Sequence, residues 1–240
     1  MYDRAALILD AEGHPLGRLS LALITLGLRP LYTTELDELV LLSREYRGQV
    51  GAVLLPSENV ATLLPRLRKN VLEPLGLPVS AVVPVGDPPA AELLEPLRAE
   101  GVQYRLPAAP EPHELRFVVA HAGASNDSGE RRGEARVPCH LPVNVESAEQ
   151  GTVDGDLEEL SPNGAFVSLA RPLAEGTEVR LLFVLPDHPA ALRARVQWCV
   201  DAKTPAWRER GVGVEFVEPD EATEAALERF VEDGTRRLRL

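Results

Sequence analysis

EVRLLFVLPDHPAALRARVQWCV, residues 178–200, is the stretch whose reading decides the fold of the C-terminal half. In its first part Val179, Leu181, Phe183 and Leu185 alternate with outward positions. In its second part Leu192, Ala194, Val196, Trp198 and Val200 share one side, and Arg193, Arg195, Gln197 and Cys199 share the other. Residues 211–216, GVGVEF, repeat the alternation with Val212, Val214 and Phe216. A period of two over several short segments means antiparallel strands with one buried face. Six such segments closing on themselves predict a small barrel. After Pro219 the run DEATEAALERFVEDG (220–234) reads as one helix, acidic in its first turn and ended by Gly234.

Working outward, the first half has a different rhythm. Five short apolar runs, at 5–10, 28–33, 50–55, 79–85 and 102–106, alternate with helical patterns at 16–27, 36–46, 60–76, 90–101 and 111–122. Gly27, Gly76 and Gly101 close three of these patterns, as helix C-termini favour. Pro65, Pro74 and Pro96 interrupt two of them and mark kinks or breaks. Five strands alternating with five helices predict a doubly wound, parallel five-stranded α/β sheet. Between the halves, HAGASNDSGE (121–130) is small, polar and rich in turn residues, and reads as a linker. The expected layout is a first domain over 1–120, a linker over 121–130 and a second domain over 131–240.

Composition excludes several function classes. The 240 residues carry a net charge of −12, which repels phosphate backbones and argues against nucleic-acid partners and anionic lipid. No apolar run reaches membrane-spanning length, so membrane insertion is not expected. The acidic start, with Asp3, lacks the pattern of a secretory signal, which makes the cytoplasm the expected location. Cys139 and Cys199 do not make a disulfide framework. The five histidines are scattered, and Cys139-His140 is a lone pair without a matching set, so no metal site is expected. The acidic run TVDGDLEEL, with Asp154, Asp156, Glu158 and Glu159, has the composition of a cation site but reads first as a solvated strand edge. No phosphate-cradling glycine loop, no GxSxG elbow and no set of nucleophile, base and orienting group is present. No cofactor and no enzymatic activity are expected.

Two local patterns carry the functional reading. ERRGEARVP (130–138) places Arg132 and Arg136 four apart with Arg131 adjacent. EELSPNGAFV (158–167) sets Glu159, Ser161 and Gly164 in a three-part spacing. In this order, followed by VQW (196–198), GVGVEF and a terminal helix, they resemble the PilZ domain family, whose signature is RxxxR followed by [D/N]xSxxG. The resemblance covers about the last 110 residues. It implies binding of cyclic di-GMP, with Arg131, Arg132 and Arg136 gripping phosphates and stacking on guanine, and with Glu159, Ser161 and Gly164 lining the other wall. The residue types suit that chemistry. A guanidinium is a planar fork for phosphate and stacks on flat rings; a carboxylate accepts protons from a base edge; glycine admits close backbone approach. One departure stands out: Glu159 occupies the place of Asp or Asn, and its extra methylene displaces the carboxylate by about 1.5 Å. A PilZ fold that binds no nucleotide and works as a protein adaptor is the rival expectation.

The β/α order and length of residues 1–120, with GVQYRLPAAPEPHEL, resemble a response-regulator receiver. Such domains phosphorylate an aspartate after the third strand. Here Leu55 and Pro56 stand there, Ala11 follows Asp10, Val83 and Pro84 end the fourth strand without a hydroxyl, and Leu106 precedes Pro107 where a lysine belongs. The resemblance therefore implies a pseudo-receiver without phosphotransfer, used for homodimerisation or for docking protein partners.

Overall fold

The computed structural model describes residues 4–10, 15–123, 135–200 and 210–240. They fall into two compact units, one within Met1–Arg131 together with Arg236–Leu240, the other within Arg132–Thr235.

The N-terminal unit is built on β1 (Ala5–Leu9), α1 (Arg18–Thr25), β2 (Arg29–Thr33), α2 (Leu36–Glu45) and β3 (Val50–Pro56). It continues with α3 (Val60–Leu67), α4 (Glu73–Leu75), β4 (Val82–Val85), α5 (Ala91–Glu100) and α6 (Pro112–Ala122). The strands are parallel, in the order β2-β1-β3-β4. Every residue of β1 and β3 is buried, which is why both read as continuous apolar runs: helices cover the two faces of a parallel sheet. The expected helix over 60–76 is segmented. Pro65 lies inside α3, Pro74 lies in the first turn of α4, and between them Arg68–Leu72 widens into a π-helical turn, as missing N–H donors interrupt the regular ladder. Gly76 and Gly101 take left-handed conformations at the C-caps of α4 and α5.

The sheet has four strands, not the expected five. Residues 102–106 contribute one parallel bridge, Val85↔Leu106. There Leu106 N–H donates to Pro84 O (2.8 Å) and Gly86 N–H donates to Leu106 O (2.9 Å). Pro107 follows and has no N–H with which to extend the ladder. The opposite edge of the segment is taken by the end of the chain: Arg105 N–H donates to Leu238 O (2.8 Å), and Leu240 N–H donates to Gln103 O (3.1 Å). Leu240 is buried in the core of this unit. Buried Glu114 pairs with Arg237 Nε at 2.5 Å and also accepts the Glu111 N–H.

The C-terminal unit contains β5 (Val137–Ser147), β6 (Gly151–Ser161), β7 (Gly164–Ser168), β8 (Glu178–Leu185), β9 (His188–Val200) and β10 (Gly211–Phe216). All pairings are antiparallel, and the barrel closes in the order β10-β7-β6-β5-β8-β9. The alternating apolar residues fill its interior: Val179, Leu181, Phe183 and Leu185 from β8, Leu192, Ala194 and Val196 from β9, and Val212, Val214 and Phe216 from β10. The final helix, α7 (Glu221–Leu238), adds Ala226 and Leu227 to that core. Asp220 starts α7 by accepting the Thr223 N–H (3.0 Å) and hydroxyl (2.8 Å), and these bonds hold its carboxyl below the usual range. Gly234 does not end α7, which runs on to Leu238. A Cβ at Gly234 would lie 2.8 Å from Val137 Cβ; the glycine serves close packing of helix on strand.

The two cysteines differ in exposure. Cys139 is buried, its Sγ donating to Leu157 O at 3.2 Å, and burial followed by the charges of Glu158 and Glu159 pushes its thiol pKa up; Cys199 is exposed. A raised pKa keeps Cys139 protonated and unreactive at mildly alkaline pH. An aromatic disulfide reagent at pH about 8, near the ordinary thiol pKa, should therefore modify one thiol quickly. Cys199→Ser should remove that phase, and the second thiol should react only after denaturant is added. Equal rates for both thiols would contradict this burial.

Candidate functional site

The second sequence motif forms the β6–β7 hairpin. Ser161 pairs with Gly164, leaving Pro162 and Asn163 as a two-residue turn. Proline presets the φ required at the first turn position. Ser161 is buried, and its hydroxyl donates to Gly164 O at 3.0 Å, closing the turn on itself. The Asn163 carbonyl accepts Phe216 N–H at 2.8 Å, tying the turn to β10. A Cβ at Gly164 would come within 2.3 Å of Val214 O. Ser161 and Gly164 thus build the wall by close contact, and the serine hydroxyl is spent on closing the turn.

Glu159 points outward. Leu157 and Leu160 both lie in the barrel core, although their spacing of three would place them on opposite faces of a regular strand. A register shift between Leu157 and Glu159 resolves this. The extra residue, Glu158, lies 3.4 Å from His140 Nδ1. Arg136, just ahead of β5, brings its guanidinium to 3.9 Å from Glu159 Oε2, with 33% and 23% of the two side chains exposed. Arg136 and Glu159 are therefore brought together. Arg131 and Arg132 lie outside the described residues.

Register extends the site sideways. Pro138 on β5 pairs with Glu159 on β6, Glu159 with Phe166 on β7, Phe166 with Gly213 on β10, and Gly213 with Trp198 on β9. These five residues form one row across five strands on the outer face of the barrel. Phe166 and Trp198 stack, with ring centroids 5.4 Å apart and planes at 10°. Gly213 permits this, since a Cβ there would lie 2.1 Å from the indole. Trp198 does not join the interior register expected for it. A shift between Gly213 and Val214 pairs Val214 with Val196 and Gly213 with Trp198, so Gln197 is the extra residue and Trp198 turns outward, half-buried. Along this row Trp198 lies three strand spacings, about 14 Å, from Glu159. The glycine facing it on GVGVEF is the one sequence signal for this placement. Among the described residues no group of three His, Cys, Asp or Glu is placed to hold a metal ion.

Residues 130–233 match the PilZ domain family. This part of the chain is a PilZ domain. Solved structures to which it is similar include the Bacillus subtilis inhibitor of motility MotI/DgrA, at 21% identity over 46% of this chain and 55% of that one, with a TM-score of 0.37. The PilZ domain of CeSA from a cellulose-synthesizing bacterium is 27% identical over 41% of this chain and 95% of its own, with a TM-score of 0.32. Escherichia coli YcgR, solved in complex with c-di-GMP, is 20% identical over 44% of this chain and 46% of its own, with a TM-score of 0.38. This chain thus spans about half the length of MotI/DgrA and YcgR. Comparison with curated proteins finds no match.

The glycines of the PilZ domain give a direct test of the outer row. Gly213→Ala should drive the indole off Phe166 and shift tryptophan emission while the fold survives, because a ring can move. Gly164→Ala meets backbone and should cost about 1–3 kcal/mol of stability in a denaturant melt. An unchanged emission spectrum in Gly213→Ala would show that the indole does not lie across that position.

Proposed function

We propose that the PilZ domain is a receptor for cyclic di-GMP and that the chain passes binding on to a protein partner without performing a reaction. The observation that carries this reading is the juxtaposition of Arg136 and Glu159 on the outer barrel face, in line with the Phe166–Trp198 stack. Arg136, with Arg131 and Arg132 supplied by the segment before β5, would grip phosphates and stack on guanine. Glu159 would accept from the guanine edge, Trp198 would offer an aromatic flank, and Ser161 and Gly164 would hold the wall in shape. The N-terminal unit is assigned the part of a pseudo-receiver: it lacks a carboxylate where phosphorylation would occur, and it would dock a partner or a second copy of the chain. A cytoplasmic setting suits that assignment.

The 3.9 Å Arg136–Glu159 contact also favours a second reading, in which the longer acid neutralises the arginine and the domain serves as an adaptor that binds no nucleotide. Titration calorimetry with cyclic di-GMP separates the two. On the receptor reading the wild type binds saturably at tens of micromolar or tighter, and Arg136→Ala weakens binding about tenfold or more, the scale of one charge-assisted hydrogen bond. Trp198→Ala should weaken it by a similar factor through lost stacking. A silent wild type, with heat appearing only in Glu159→Asp, would overturn the receptor reading and establish the adaptor.

A further inference from the structure

The N-terminal unit contains a concave site of its own. At the C-terminal ends of β3 and β4 a cleft of about 550 Å³ opens, the size of a small-molecule pocket. Its position is the one where open parallel α/β sheets take ligands, outside the carboxyl ends of the strands. Most of its lining is apolar, including Leu16, Val85, Pro88, Pro89 and Leu93.

Three polar features converge there. Ser57, directly after β3, lines the cleft at 3% exposure, and its Oγ is buried without a hydrogen-bond partner among the described residues. A buried hydroxyl left unpaired is costly, and a ligand acceptor would relieve that cost. The ten-residue helix α5 begins at the cleft, with Ala90 as its N-cap and no side chain capping its first turn. Its leading N–H groups and positive dipole end favour an oxyanion. Arg18 lies on the lining and is anchored by a hydrogen bond to Ala108 O. Glu58 and Asp87 also stand on the lining. Their charges oppose a dianion far more than a monoanion, which selects against phosphate.

We propose that this cleft binds a small monocarboxylate with an apolar body. The carboxylate sits at the start of α5 beside Arg18 and accepts from Ser57, and the body fills the apolar floor. The site holds its ligand without covalent chemistry.

Titration of the 15N-labelled full chain with phenylacetate tests this directly. Saturable shifts are expected at the amides of Ser57, Gly86 and Ala91, with a dissociation constant of about 1 mM or tighter, as suits a ligand of this size. Arg18→Gln should weaken binding about tenfold. Ser57→Ala, which removes only an unpaired hydroxyl, should weaken it about threefold while preserving the spectrum of the folded chain. Benzyl alcohol, similar in size and uncharged, should bind far more weakly, and inorganic phosphate should not compete. Absence of saturable shifts at these amides, equal binding of benzyl alcohol, or competition by phosphate would each overturn the proposal.

Discussion

Closure of the six-stranded barrel is the constraint on which the C-terminal unit depends. Once β9 and β10 pair, no open edge remains, and each strand must divide its residues strictly between a filled interior and an outer face. A departure from alternation then requires an extra residue, and the extra residues are where the outer face acquires its chemistry. Glu158 interrupts β6 and lets Leu157 and Leu160 both reach the core while Glu159 stays outside. Gln197 interrupts β9 and turns Trp198 out onto Phe166. Gly164 and Gly213 complete the arrangement by removing side chains where backbone and indole must come close.

The same partition sorts the signature residues by task. Ser161 and Gly164 shape the wall and contribute little accessible surface, while Arg136 and Glu159 carry the accessible charge. That charge is balanced within the pair, so an anionic ligand must compete with Glu159 for Arg136, or draw additional positive charge from the segment before β5. The chain is acidic as a whole, so favourable electrostatics for a nucleotide have to be local.

How far the sequence revealed this varies by residue. Alternation in 178–185, 191–196 and 211–216 displayed the barrel because period two survives wherever no bulge intervenes. The same logic misled at Trp198, since a single inserted residue reverses every side beyond it, and nothing in VQW announces an insertion. The apolar run at 102–106 looked like a fifth strand. One of its partners is the chain terminus more than a hundred residues away, a pairing that local pattern does not encode. Gly234 had the composition of a helix stop but answers to Val137 across the packing interface. The resemblance to the PilZ signature singled out Glu159, Ser161 and Gly164; the closure of the serine hydroxyl onto Gly164 O required coordinates. The cleft at the ends of β3 and β4 had no motif at all, because most of its lining is apolar and drawn from distant loops.

The outer row from Glu159 to Trp198 is the surface on which the proposed ligand would lie. Amide and indole correlation spectra of the 15N-labelled chain, recorded while cyclic di-GMP is added, examine that surface residue by residue. The Trp198 indole N–H and the amides of Glu159, Phe166 and Gly213 should shift together and saturate at one ligand concentration. Perturbations confined to other strands of the barrel, with these four signals unmoved, would contradict it.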